Sequence, residues 1–444
     1  MNMTSGKLGR QILFFSIPLI LSNLLQVCFN MSDIAVVGKF AGPQALGSVG
    51  STTILVTLFT GFLIGMGNGV NVLVARYLGK RDDSAVRDAV HSSLIICFAV
   101  GVLLLALGLA FSETLLKVLN TKDELMDGAK LYLKIYFWGM PALAVYNFGN
   151  AVLSAAGDTK RPLYYLLVAG IINVVLNLIF VIVFKRSVDG VAAASVISQY
   201  ISAVLIILFL ARHNLAYGIK AKYIHITRQH GADILKLGLP SGFQNAIFAI
   251  ANLFIQSGVN SFDAVIVEGN AAAANADPLV YDVMAAFYMA CSSFMSQNFG
   301  AGNKKRVIKS FYISLAYSAG AGAVLGLGLI IFGRQFLSLF TNEGQVINEG
   351  MIRLEVMGLS YAISAFMDSG IAASRGIGKT FVPTVIVIMG SCVFRVAWLY
   401  TVFAHFHTIF SLYLLYAFSW TITAAAEIAY FAAAYRGAYK QVKG

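Results

Sequence analysis

The chain has 444 residues, of which 58% are hydrophobic and only 12% charged, and its formal net charge is +12. A soluble domain carries about a quarter of its residues as charges, so this composition excludes an ordinary soluble enzyme or binding module. The charges are bunched between apolar runs of about 20 residues, the length a helix needs to cross the hydrocarbon core, and backbone groups in lipid must pair internally, which excludes open strands.

Read in chain order, the apolar runs predict about twelve transmembrane helices, near residues 11–36, 50–74, 89–111, 130–153, 162–184, 190–211, 236–258, 274–297, 309–333, 351–373, 381–404 and 409–434. The expected fold class is therefore an all-α integral membrane protein. The first run is too long for the apolar stretch of a signal peptide and lacks a small-residue cleavage site, so it is expected to stay as the first helix. Alternate loops hold 22 of the 32 Lys and Arg, from Lys7 and Arg10 through Arg76, Lys80 and Arg81 to Arg436, Lys440 and Lys443. The positive-inside rule places those loops and both termini in the cytoplasm of a bacterial inner-membrane protein. With topology accounting for the basic residues, no nucleic-acid-binding face is expected. Cys28, Cys97, Cys291 and Cys392 all fall inside spans and are expected as buried small apolar groups, without disulfide or metal use.

A shift of 221–222 residues superimposes the two halves. Pro18 meets Pro240, and Asn23 meets Asn245; Tyr77-Leu78-Gly79 meets Asn298-Phe299-Gly300; Gly157-Asp158-Thr159 meets Gly378-Lys379-Thr380; Pro162 meets Pro383. Six spans per repeat give halves of the same orientation, residues 1–211 and 236–444, joined by a polar and basic linker at 212–235. Duplication of this kind predicts a transporter whose substrate cavity lies between two moving halves.

Polar stripes locate the chemistry. Asn23, Gln26, Asn30 and Asp33 follow one another at helical spacing on the first span, and a carboxylate in lipid is expected to face the interior or a water-filled cavity. Asn147, Asn150 and Ser154 line one face of the fourth span, Asn173 and Asn177 the fifth, and Ser195, Ser198, Gln199 and Ser202 the sixth. Asp33 with Asn150, Asn173, Asn177 and Ser195 is the expected cation-coupling set, able to exchange a proton or hold a sodium ion; the bland alternative for each amide is glue between helices. In the second half Gln244, Asn245, Asn252 and Gln256 share the seventh span, but Ile255 stands where the repeat would put an acid. Asp368 shares a stripe with Ser360 and Ser364, Glu427 lies in the last span, and Arg395 lies well inside the eleventh. Arg395 is expected to form a structural ion pair with Asp368 or Glu427. Asn23, Gln26, Asn30, Asn147, Gln199, Gln244, Asn245, Asn252, Gln256, Asp368 and Arg395 are the candidates to line the substrate cavity.

Several of these segments carry a resemblance to the multidrug and toxic compound extrusion (MATE) transporters, in particular the bacterial branch of DNA-damage-inducible and NorM-like exporters. They are Asn30-Met31-Ser32-Asp33 followed by Val37-Gly38, Ala156 to Pro162, Ile172-Asn173 with Asn177, Gly190-Val191-Ala192-Ala193-Ala194, Gly238-Leu239-Pro240, Gln297 to Gly302 and Ser374 to Lys379. The resemblance implies a V-shaped pair of six-helix lobes that exports organic, often cationic, compounds in exchange for protons or sodium ions, with no other cofactor. It carries over an acid to Asp33 and polar partners to Asn150, Asn173 and Ser195. The chain departs from the pattern at Asn177, where some members have a second acid, at Phe29, where some have Tyr, and at Phe248, near which NorM-like members carry Glu.

A flippase of lipid-linked sugar precursors is the neighbouring alternative; it calls for a cationic cavity, and among deep bases the spans offer only Arg395, with Lys134 and Arg353 near their ends. An integral-membrane enzyme is not expected, because no H-E-x-x-H, G-x-S-x-G or clustered acid–histidine pattern occurs. The expected partners are a small organic substrate and membrane lipid, and the expected state is a monomer.

Overall fold

The structure, a computed structural model, describes residues 1–440, with side chains through Ala438; the Lys440 side chain and Lys443 of the basic tally lie outside that range. Among the described residues there is no strand, and eleven helices are long and apolar enough to cross a bilayer. They are α1 (Leu8–Ala41), α2 (Pro43–Lys80), α3 (Asp83–Val118), α5 (Lys160–Val183), α6 (Val188–Arg212), α7 (Arg228–Val259), α8 (Ala264–Gly300), α9 (Lys304–Ile331), α10 (Gly344–Gly376), α11 (Phe381–Phe406) and α12 (Ile409–Ala438). The twelfth, α4, is broken into Asp123–Phe137 and Met140–Ala155.

The break corrects the continuous fourth span expected at 130–153. Pro141 supplies no N–H to the Phe137 carbonyl and its ring would clash there, so the chain tightens instead: the Trp138 and Gly139 amides reach back only three residues, to Ile135 and Tyr136. Proline also explains the interruption of α8 between Ala264–Ala274 and Ala276–Gly300. Pro278 frees the Ala274 carbonyl, and the Asn275 side chain turns back onto the Ala271 and Ala272 carbonyls. The helix therefore begins ten residues before the expected 274, capped by Asp263, whose side chain accepts from the Ile266 amide.

The repeat is visible in the backbone. Gly157 and Gly378 have φ of 83° and 82°, the left-handed C-cap geometry that glycine adopts without penalty. Arg81 and Gly302, also equivalent, both have positive φ, and the following residues, Asp82 and Asn303, cap the next helices by accepting from the Ala85 and Arg306 amides. Lys185 and His407 form a further equivalent pair with positive φ.

The chain divides into two compact units. The first comprises Met1–Asn2 and Leu21–Ala246, the second Met3–Ile20 and Ile247–Gly444. The division falls within α1 and α7 rather than in the segment 212–235, which is fastened to α3 inside the first unit. There the Lys220 amide donates to His91 Nε2 (3.0 Å) and the Thr227 amide to Ser92 Oγ (3.0 Å).

Glycines explain why the start of α7 belongs to the first unit. Gly65 and Gly69 of α2 meet Gly242 and Gly238 of α7 so closely that a Cβ on Gly65 would lie 2.4 Å from the Gly242 nitrogen, and one on Gly69 2.5 Å from the Gly238 nitrogen. This is small-residue packing at one-turn spacing on both helices, the kind that lets membrane helices approach without hydrophobic driving force. Asn245 donates to the Gly61 carbonyl across the same crossing (2.9 Å). In the second unit the start of α1 is held by Phe15, edge-on to Phe294, and by Arg306, which donates to the Met3 and Gly6 carbonyls.

Candidate functional site

Asp33 lies one turn before the wider π-helical segment Val37–Ala41 that ends α1, and Asn177 just before the matching segment Ile179–Val183 of α5. Such widened turns favour functional positions because they re-aim side chains. Four side chains form a closed ring here. Asn177 Nδ2 donates to Asp33 Oδ1 and to Asn173 Oδ1 (3.3 Å), Asn173 Nδ2 donates to Ser195 Oγ (3.4 Å), and Ser195 Oγ donates to Asp33 Oδ2 (3.4 Å). Asn173, Asn177 and Ser195 are buried and Asp33 is half-buried. Asn177 Oδ1 is a buried acceptor without a partner, so the ring holds one carboxylate and one free amide oxygen.

Two tyrosines that the sequence did not mark complete the surroundings. Tyr132 and Tyr136, stacked at 5.8 Å on the first piece of α4, lie within electrostatic reach of Asp33, and Gln199 packs against Gly139 at the break that follows them. Their i, i+4 spacing just before Gly139 and Pro141 was the available signal. On the other side Phe29 packs onto Gly170 of α5, where a Cβ would sit 1.9 Å from its ring. That contact fixes α1 against the helix carrying Asn173 and Asn177.

The remaining first-unit candidates stand apart from the ring. Asn147 donates to the Leu143 carbonyl of its own helix (2.9 Å), and Asn150 accepts from Ser154 (3.4 Å). Gln26 and Asn30 are exposed and Asn23 is half-buried. Asn245 is engaged with Gly61, and Gln244 is buried in the first unit.

The second unit contains a cavity of about 420 Å³ whose lining includes Asn252, Ile255 and Gln256 of α7, Asp368 of α10, Arg395 of α11, and Tyr416 and Trp420 of α12. Three expected substrate-facing residues of α7 and α10 thus meet Arg395 in one space. The expected ion pair of Arg395 with Asp368 or Glu427 is not formed. Arg395 Nε donates to Ser419 Oγ (3.1 Å), and the guanidinium packs against the rings of Tyr416 (4.7 Å), Phe248 (5.7 Å) and Trp420 (5.8 Å). Both Glu427 oxygens are buried without a partner, and Asp368 shares the cavity wall with Arg395 without reaching it. Arg353 is also a deep base, 5% exposed rather than near a span end. It donates to Asp277 (2.5 Å), which also accepts from the Tyr361 hydroxyl (2.6 Å), and to Asn270 Oδ1 (2.9 Å). Cys28 is exposed, while Cys97, Cys291 and Cys392 are buried; all four are free thiols.

The MatE family model matches the chain twice, over residues 18–179 and 240–401, an offset of 222 residues, that of Pro18 with Pro240 and within one residue of that of Gly157 with Gly378. The chain belongs to the MatE family. Among relatives, it is 28% identical to a probable multidrug resistance protein, YpnP, of Bacillus subtilis, covering 84% of each chain. It is 26% identical to an FAD transporter of Shewanella oneidensis, over 78% of this chain and 77% of that one. A multidrug resistance MATE family transporter of the MOP superfamily, solved in an outward-facing conformation, superimposes with a TM-score of 0.91 at 21% identity, covering 99% of this chain and 98% of that one. MatE members are membrane transporters rather than enzymes, so this chain is a multi-pass integral membrane transporter of the multidrug efflux family. In this MatE protein the first-unit ring holds one acid, Asp33, and Asn177 completes it.

Proposed function

We propose that this MatE protein is an antiporter that exports organic compounds, cationic ones among them, by alternating access, driven by a cation that enters at Asp33. The observation that carries the reading is the closed Asp33–Asn177–Asn173–Ser195 ring with its free amide oxygen. Its amides and hydroxyl serve the charged and the protonated carboxyl alike, because each can donate or accept. Protonation of Asp33, or sodium bound there, would change the ring's hydrogen bonds. A ligand moves a two-state equilibrium only by its difference in affinity for the two states. A single carboxylate among neutral partners favours protons over sodium as the coupling ion.

The distribution of Lys and Arg supports an orientation with both termini in the cytoplasm of a bacterial inner membrane. The chain is taken to act as a monomer.

The decisive experiment uses sealed vesicles carrying a fluorescent organic cation. Asp33→Asn is expected to abolish efflux driven by an imposed pH gradient while the protein inserts in normal amounts. Full efflux by this variant would overturn the reading. Comparing an imposed pH gradient with an imposed sodium gradient in the wild type identifies the coupling ion.

A further inference from the structure

Three arginines lie buried in the second unit, at 5% (Arg353), 3% (Arg375) and 2% exposure (Arg395). Arg353 has Asp277 as its counter-charge, and Arg375 donates to the Tyr288 hydroxyl. Arg395 has no ion-pair partner, although Asp368 shares its cavity wall. Among the described residues no carboxylate lies within ion-pair distance of it; its one hydrogen bond goes to a neutral hydroxyl, and Nη2 is buried without a partner. A guanidinium in a membrane-spanning helix is costly unless it meets an anion, and the three rings around it offset only part of that cost.

The repeat sharpens the point. Under the 222-residue offset of the two family matches, Asp33 corresponds to Ile255 and Asn173 to Arg395. Ile255 and Arg395 line one cavity, as Asp33 and Asn173 share one ring. At these two positions the second unit reverses the sign of the first: the acid has become apolar and an amide has become a guanidinium, while Asp368 and the paired Asp277 and Arg353 also line the wall. Asn30, a stripe neighbour of Asp33, corresponds to Asn252, which also lines the cavity.

We propose that this cavity is a cargo subsite for the oxyanion end, carboxylate or phosphate, of an aromatic organic compound. Arg395 supplies the charge, and its planar fork matches an oxyanion with paired oxygens. Phe248, Tyr416 and Trp420 supply faces for the ring, while Asn252 and Gln256 supply amide donors at the wall. About 420 Å³ is room for one or two fused rings with a substituent, within the range of small-molecule sites. The inference rests on the exporter reading in treating the occupant as cargo; it assigns the second unit a charge preference opposite to that of the Asp33 ring.

The test is equilibrium binding to the full-length protein in lipid nanodiscs, with empty discs subtracted. The probes share one ring system: 1-naphthoate, 1-naphthyl phosphate and 1-naphthylmethylamine. The wild type is expected to bind at least one of the two oxyanions tenfold or more tightly than the amine, and the better of the two shows which oxyanion the site takes. Arg395→Gln should weaken that binding at least tenfold, with Arg395→Lys losing less. Asn252→Asp leaves the arginine in place but adds a further carboxylate to the wall that already holds Asp368, and should erase the preference; this keeps the test valid if Arg395→Gln does not fold. Asp33→Asn should lose gradient-driven efflux yet keep oxyanion binding, so failure of coupling and failure of the subsite are read separately. Tighter binding of the amine, or oxyanion affinity unchanged in both Arg395→Gln and Asn252→Asp, would overturn the proposal.

Discussion

The α2–α7 crossing allows a stability prediction from distances. A Cβ on Gly65 would lie 2.4 Å from the Gly242 nitrogen and 2.5 Å from its Cα, all backbone atoms that cannot rotate away. Carbon contacts settle at about 3.5–4.0 Å, so Gly65→Ala forces the helices apart by about 1 Å. Forced overpacking costs about 1–3 kcal/mol. The same retreat stretches the bond from Asn245 to Gly61, now 2.9 Å, beyond hydrogen-bonding length, a loss averaging about 0.6 kcal/mol between membrane helices. The expected destabilisation is therefore about 2–3 kcal/mol. Gly328→Ala is the control: its Cβ meets nothing within 4 Å, and within α9 it should be neutral or stabilising by about 0.5–1 kcal/mol. Thermal unfolding of both variants in detergent, followed by loss of the monodisperse peak, reads the difference. Equal stability of Gly65→Ala and Gly328→Ala would refute the close-approach argument.

Removing the other residues described above should separate architecture from coupling. Asn177→Ala deletes both donated bonds of the ring and leaves Asp33 with Ser195; gradient-driven efflux should fall at least tenfold with normal insertion, measured in the same vesicles as Asp33→Asn. Arg353→Met leaves the half-buried Asp277 and its Tyr361 contact without the cation, so denaturant unfolding should show a loss of up to about 3 kcal/mol. Gly170→Ala pushes the Phe29 ring off α5 and should lower efflux by displacing Asp33, while leaving oxyanion binding in the second unit unchanged.

The features visible in the sequence were those that act along one helix. Apolar length marked the spans, and the three- and four-residue steps of Asp33, Asn173, Asn177 and Ser195 placed them on faces that do converge. Asn147 and Asn150 had the same spacing, yet each is engaged within its own helix, and periodicity cannot distinguish a face that meets a partner from one that bonds to itself. The break in α4 was hidden because Pro141 sits in an unbroken apolar run. The glycine crossing joins residues far apart in the chain, Gly65 with Gly242 and Gly69 with Gly238, and small residues carry no periodic apolar signal. Tyr132 and Tyr136 were passed over because tyrosines on a buried face look like core. The pairing assumed for Arg395 failed because its guanidinium is taken up by Ser419 and by the rings of Phe248, Tyr416 and Trp420, although Asp368 shares the cavity.

The equivalence of Asp33 with Ile255 and of Asn173 with Arg395 can itself be tested without any cargo. Ile255 is 3% exposed and shares the cavity wall with Arg395 and Asp368, so an acid introduced there has Arg395 as the one unpaired cation among the described residues of that wall. In the Arg395→Gln background, Ile255→Asp buries an unpaired carboxylate and should be strongly destabilising. In the wild-type background the same acid gains a partner that already carries an unsatisfied donor, and much of that cost should be recovered. A double-mutant cycle on unfolding free energy should therefore show favourable coupling of about 1–3 kcal/mol between the two positions. The Ile255→Asp variant should also lose its binding of 1-naphthoate, because the introduced carboxylate occupies the charge that the probe requires. Additive effects, with naphthoate binding retained, would mean that position 255 does not face Arg395 as position 33 faces its ring, and the sign reversal between the two units would have no structural basis.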